Sequence, residues 1–536
     1  MKPVYLLLFQ LFILEFSAIP TAFADQKDTL NIKVLISQHQ QYNSELERTI
    51  LNSTDSVTWS MLDFMLAGES DLTENQMQRI RSDMDTFIKA LSQEVEKMSF
   101  SFKIRHIFKR THNQYLKKYD EQVTFYNIFQ SGYYNCVTGT SLFAHVLNEL
   151  KIPYQVKELP DHVYLIVDPD KFNIPLESTN PKTGFYKPST SFMNKYIDMM
   201  LEYKLITYGE LDSNGIETTF NKYYYSRTNI NYRELVGLQY YNIGLFNYNL
   251  SLYTGTNQAI GNTIINAEKA FCFNNSERIR FLMFMAYSNN LFTTAYYADT
   301  NTIGTLIKLY CVSPVKSRTK LVRAEYNRMK EEVLLGRSDQ RLFEYYYNRF
   351  ALSFKADSAL TEWFKMDFLF ESARNSLFQN DFESSLKYIF AASSIDPNNR
   401  EYIGVAELAI TKKTALLPTP DQRITALNRI TQTYKHLREN RTIKLLYSYN
   451  YLEQARLYNG DCHYTEARFS LEKFEKIRET KGIDTTYIAA VYVDLSKCLE
   501  KVRNYPLAKQ CIDRGLSVLP YNQSLTARRK EVLLLH

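Results

Sequence analysis

Cys136 stands in the run Tyr134-Asn135-Cys136-Val137-Thr138, and His162 and Glu177 follow it along the chain. A thiol nucleophile, an imidazole to take and return its proton, and a third group that holds the imidazole in one tautomer are the parts that nucleophilic acyl transfer needs. Cys136, His162 and Glu177 have the types and the order for those three roles. An acyl group captured on such a sulfur forms a thioester, which water or an amine then resolves. Asp161 is the nearest rival to Glu177 for the third role.

The elements that must position these residues follow from local patterning. Leu142, Phe143, Val146, Leu147 and Leu150 recur at helical spacing, which puts Cys136 in the first turn of a helix. Unpaired backbone N–H groups there favour negative charge on sulfur. Lys151-Ile152-Pro153 ends that helix, Tyr154 to Leu159 reads as a strand, and Pro160-Asp161 turns the chain into a second strand, His162 to Val167. Alternation along it puts His162, Tyr164 and Ile166 on one face and Val163, Leu165 and Val167 on the other. A third strand, Ile174 to Thr179, carries Glu177. An oxyanion needs donors aimed at it, and the Cys136 N–H is one candidate.

The segments Asn135-Cys136-Val137-Thr138-Gly139-Thr140, Asp161-His162-Val163-Tyr164 and Leu176-Glu177-Ser178-Thr179-Asn180-Pro181 resemble the three motifs of the transglutaminase-like superfamily, which has the papain-like cysteine-enzyme architecture. The lead-in, Ile104 to Phe108, Tyr115-Leu116 and Phe129-Gln130-Ser131-Gly132, is similar as well, so the resemblance runs from about Phe102 to Phe185. It implies an α+β core with Cys136 as nucleophile, His162 as general acid and base, and Glu177 where most members have aspartate, which is a departure. It also implies an oxyanion donor just upstream of the nucleophile, for which Gln130 and Tyr133 are alternatives. Domains of this kind also occur without catalysis.

The remainder of the chain frames that region. Residues 1–24 have a basic start at Lys2, an apolar stretch from Val4 to Phe16 and a small-residue cleavage site at Ala22-Phe23-Ala24, the pattern of a secretory signal. No later segment reads as a membrane span. The net charge of +6 is small for 536 residues, and the basic stretch Lys316 to Lys330 is interleaved with glutamates, so no nucleic-acid partner is expected. The six cysteines form no metal-binding spacing, His106 and His112 fall on different faces of one helix, and no metal or cofactor is expected. Besides Cys136, the cysteines read as buried free thiols, although Cys498 and Cys511 lie on helices that can pack together.

Thr73 and Gln76 have the spacing of a capping box before a long helix with an apolar face of Met77, Ile80, Met84, Phe87, Ile88, Leu91, Val95 and Met98. His145, farther along the Cys136 helix, reads as structural or exposed. Beyond Tyr224 the pattern is helical. Ala373, Phe382, Ser385, Ala392 and Pro397 fit the small, aromatic, small, small and terminating positions of a tetratricopeptide repeat. Ala455, Tyr458, Tyr464, Ala467 and Leu471 repeat the pattern, as do Leu495, Tyr505, Ala508, Ile512 and Pro520. Helical hairpins are also expected from Leu238 to Ala270 and from Arg400 to Leu437.

The expected organisation is therefore a signal at 1–24, a helical subdomain at 25–100, a transglutaminase-like α+β core at 101–220 and an all-α array of tetratricopeptide-like (TPR-like) repeats at 225–536. The expected function is an exported, periplasmic or extracellular, cysteine-dependent amide-bond enzyme. It would act on a protein or peptide and use its repeats to bind substrate or a protein partner. The alternative is a non-catalytic scaffold for protein interactions in the cell envelope.

Overall fold

The computed structural model describes residues 26–37, 41–52, 59–69, 72–159, 162–181, 190–202, 206–224, 229–298 and 301–534. The expected signal segment lies outside them. The chain divides into two compact units, Met1–Glu332 and Val333–His536.

The first unit begins with helices α1 (Gln26–Ser37), α2 (Glu45–Asn52), α3 (Met61–Leu66), α4 (Glu74–Val95) and α5 (Phe100–Tyr115). Thr73 and Gln76 cap α4 reciprocally, and its apolar face is buried from Met77 to Val95. Strand β1 (Lys118–Tyr119), the short helix α6 (Asn127–Gln130) and β2 (Tyr133–Tyr134) lead into α7 (Cys136–Glu149), followed by β3 (Tyr154–Glu158), β4 (Val163–Val167) and β5 (Ile174–Leu176). Helices α8 (Thr190–Glu202) and α9 (Tyr208–Tyr224) come next, then β6 (Asn229–Ile230). The unit continues through α10 (Tyr232–Thr254), α11 (Asn257–Phe273), α12 (Glu277–Thr293), α13 (Thr302–Val312) and α14 (Arg318–Lys330).

This architecture corrects the expected α+β transglutaminase-like core. The described residues are 75% helical, with six short strands in two small sheets, and are mostly all-α. One sheet is the parallel pair β1–β2, and the other is antiparallel in the order β5-β4-β3-β6. The three strands around the expected site do form, but they hold only five, five and three residues. The third stops at Leu176 rather than Thr179 for two local reasons. Pro175 has no N–H to give to a ladder and suits only an edge strand. Beyond it, the Glu177 carboxylate accepts from Thr179 N at 2.8 Å and from Thr179 Oγ1 at 2.7 Å, which curls the chain out of the sheet.

Every residue of α7 from Val137 to Leu147 is buried. A helix covered on all sides is a core helix, and α3, α10, β3 and β4 pack around it. His145 is among its buried residues. A second buried element ties the N-terminal helices to the later ones. Lys269 of α11 pairs with Glu47 of α2 at 2.9 Å, the Tyr240 hydroxyl donates to the same carboxylate at 2.7 Å, and the Asn43 N–H donates as well. Burial pushes the Lys269 ammonium below its ordinary range while Glu47 pulls it back up.

The second unit comprises α15 (Gln340–Ser353), α16 (Ser358–Phe378), α17 (Phe382–Ile395), α18 (Arg400–Ala415), α19 (Pro420–Thr433), α20 (Arg441–Gly460), α21 (Tyr464–Ile477), α22 (Thr485–Lys501), α23 (Tyr505–Val518) and α24 (Gln523–Leu534). The pairs α16–α17, α20–α21 and α22–α23 pack as hairpins, a repeat-like arrangement. The small residues Ala373, Ser385, Ala392, Ala455, Ala467 and Ala508 are all fully buried where paired helices meet. One expectation is corrected here, because Cys462 and Cys498 are joined in a disulfide with their Cα atoms 5.4 Å apart. Cys462 follows α20 in a tight turn at positive φ, and that turn swings its sulfur onto α22. Cys511 stays a buried thiol, pushed up to about 12 by that burial.

Lys269→Met strands the Glu47 carboxylate in the interior and is expected to lower unfolding free energy by about 3–5 kcal/mol. Combining it with Glu47→Gln should recover most of that loss. Denaturant unfolding of the two variants beside the wild-type chain checks both.

Candidate active site

Cys136 is the first residue of α7, and Asn135 caps it. The Asn135 side chain accepts from Thr138 N at 2.9 Å, and the Thr138 hydroxyl accepts from Asn135 N at 2.9 Å. The Asn135 amide also donates to Val123 O at 3.0 Å, which ties the loop after β1 to the start of the helix. Cys136 itself is a free thiol and partly exposed. Its backbone N–H belongs to the first turn, where no carbonyl of the helix reaches it.

One turn farther along, α7 meets the strands that carry the other two groups. The Thr140 hydroxyl donates to Val163 O at 3.1 Å, immediately after His162. A Cβ on Gly139 would lie 2.8 Å from Ser178 Oγ and 2.9 Å from Ser178 Cβ, immediately after Glu177. Positions three and four beyond Cys136 share its side of the helix. The helix that opens with Cys136 is thus fixed against both strand ends.

His162 sits just before β4, with its carbonyl accepting from Leu159 N at 2.8 Å to close the hairpin turn. Its Nε2 is hydrogen-bonded to Glu177 Oε2. The two side chains are 9% and 1% exposed. With Nε2 on the carboxylate, Nδ1 is the nitrogen placed to exchange a proton with sulfur. Burial works against a charged His162 ring. Hydrogen bonds to Cys136 and Glu177, with the negative charge of both, outweigh that burial and push it up to about 10. A charged imidazole held by a buried carboxylate beside a free thiol is the arrangement that an activated cysteine needs.

The structure therefore brings Cys136, His162 and Glu177 together. Gln130 is exposed at the end of α6 with its side-chain oxygen 3.3 Å from Asn127 Nδ2, and the Tyr133 ring lies under the Lys118 ammonium at 4.9 Å. Asp161 lies outside the described residues. His112, on α5, is buried beside Tyr134 with ring centroids 5.8 Å apart, and burial pushes its imidazole down.

Sequence reading missed three contributors. Thr179 holds the free oxygen of Glu177, and Thr140 and Gly139 set the helix against the strands. A glycine inside a helical pattern was the available signal for Gly139, since it costs about 1 kcal/mol against alanine unless a neighbour needs the space.

Glu177→Gln removes one of the groups that raise His162. In the wild-type chain the His162 ring should titrate near pH 10, and in Glu177→Gln at lower pH; NMR of ring-labelled histidine reads both. The sign for stability follows. The folded value is above the unfolded one of about 6.5, so the contribution is complete below pH 6.5 and is lost as pH rises through about 10.

In comparisons with known proteins, the chain matches no family model and no curated protein.

Proposed function

We propose that the chain is an exported cysteine-dependent amide-bond enzyme acting on a protein or peptide through Cys136, His162 and Glu177. The single observation that carries the reading is the buried hydrogen bond between the His162 ring and the Glu177 carboxylate, beside the free thiol of Cys136, which helps to raise that ring. The resemblance of the three motifs to transglutaminase-like enzymes supports the same roles.

The chemistry runs as follows. The Cys136 sulfur, having given its proton to His162, attacks the carbonyl carbon of a peptide or glutamine amide. The carbonyl π electrons move to oxygen, and the N–H groups opening α7 face that charge. Collapse of the tetrahedral species breaks the C–N bond as His162 returns its proton to the departing nitrogen, leaving a thioester. His162 then takes a proton from water, which hydrolyses the thioester, or from an amine, which makes a new amide. Glu177 holds the ring in one orientation throughout and offsets its charge while Thr179 holds Glu177.

The paired helices of the second unit suit a role in binding a protein substrate or partner. The Cys462–Cys498 disulfide supports export, since such bonds persist in oxidising compartments. Among the described residues no helix is long and apolar enough to cross a membrane.

The test is alkylation of Cys136 by iodoacetamide near pH 6 in a chain with Cys272, Cys311 and Cys511 replaced and the disulfide kept. An activated sulfur should react at least about tenfold faster than in His162→Ala. Equal, slow labelling in both would assign the site to a scaffold rather than an enzyme.

A further inference from the structure

The hairpin turn that presents His162 is gripped by a residue from outside the motif region. Arg278, in the first turn of α12, places one guanidinium nitrogen 2.9 Å from Glu158 Oε1 and 3.2 Å from Leu159 O. Glu158 is the last residue of β3 and pairs with Val163, the first residue of β4. Leu159 is the residue whose N–H closes the turn onto the His162 carbonyl. Arg278 thus holds the peptide groups directly before the turn, at both an anionic side chain and a backbone oxygen.

Arg278 is in turn fixed from below. Its guanidinium lies 5.9 Å from the ring centroid of Tyr241, a buried residue of α10. The Arg278 side chain is 23% exposed and Glu158 10%. A charge-assisted pair in that setting is screened far less than a surface one. The Glu177 hydrogen bond fixes the orientation of the His162 ring, and the position of its backbone depends on how firmly the turn before β4 is held. Only a small displacement separates a productive Cys–His contact from a lost one.

We propose that Arg278 is a positioning residue for His162, clamping the β3–β4 turn to helices α10 and α12 so that the imidazole stays between Cys136 and Glu177. This rests on the Cys136–His162 reading above. It makes the helices that follow the motif region part of the working site.

The experiment uses the full chain and three variants: Arg278→Met with Glu158→Gln, so that no carboxylate is left buried and uncompensated; Arg278→Lys, which keeps a cation for both acceptors; and His162→Ala as the floor. The readouts are the Cys136 alkylation rate near pH 6, the titration of the His162 ring by NMR, and denaturant unfolding. The double variant should lose about tenfold in alkylation, with the His162 ring titrating at lower pH, while Arg278→Lys retains most of the wild-type rate. A folded double variant that alkylates and titrates as wild type overturns the clamp, even if its stability falls. If the double variant does not fold, Arg278→Gln is read by the same criteria. A wild-type rate equal to that of His162→Ala overturns the site reading itself, and the clamp with it, so the two failures are told apart by the floor variant.

Discussion

The arrangement depends on how closely the second turn of α7 approaches the ends of β4 and β5. Gly139 leaves room for Ser178 and Thr140 bonds to the Val163 carbonyl, so two adjacent helix positions touch the residues next to Glu177 and His162. Cys136 is one turn earlier on the same side of that helix. Its distance from the imidazole is then set by backbone packing and not by a flexible side chain. The burial of α7 on every side makes that distance rigid, since a packed core resists even small shifts.

Burying an imidazole and a carboxylate together costs solvation that must be recovered locally. Glu177 recovers it by using both oxygens, one on His162 and one on the Thr179 N–H and hydroxyl. His162 recovers it by facing Cys136 as well as Glu177. The result is an imidazolium more stable than an exposed one. The buried Glu47–Lys269 pair obeys the same rule with a different outcome. Both of its charges are enclosed among α2, α10 and α11, and it joins elements rather than performing chemistry.

Much of the local structure was legible because it is written in short-range periodicity. The apolar steps after Cys136 give α7, alternation gives β3 and β4, the Thr73–Gln76 spacing gives the start of α4, and the buried alanines of the second unit mark where paired helices meet. The fold class was not legible, because three motif-bearing strands say nothing about how many others join them. Here they stay three to five residues long, in a chain whose described residues are mostly helical. The disulfide depends on a turn at Cys462 with positive φ, which no spacing rule encodes.

The local geometry at position 177 shows how a glutamate there reaches His162. Leu165 pairs with Leu176, so Glu177 is the first residue past the β4–β5 ladder and its backbone has begun to turn away from β4. An aspartate there would be one methylene shorter, and its carboxylate would be drawn to the N–H two residues on, as short acidic side chains in turns are. Glutamate reaches that N–H, at Thr179, with one oxygen and still extends the other to His162. The extra methylene therefore makes up the distance lost when Pro175 and the Thr179 turn cut the strand short. The reach of the Glu177 side chain and the shortness of β5 belong to one local geometry.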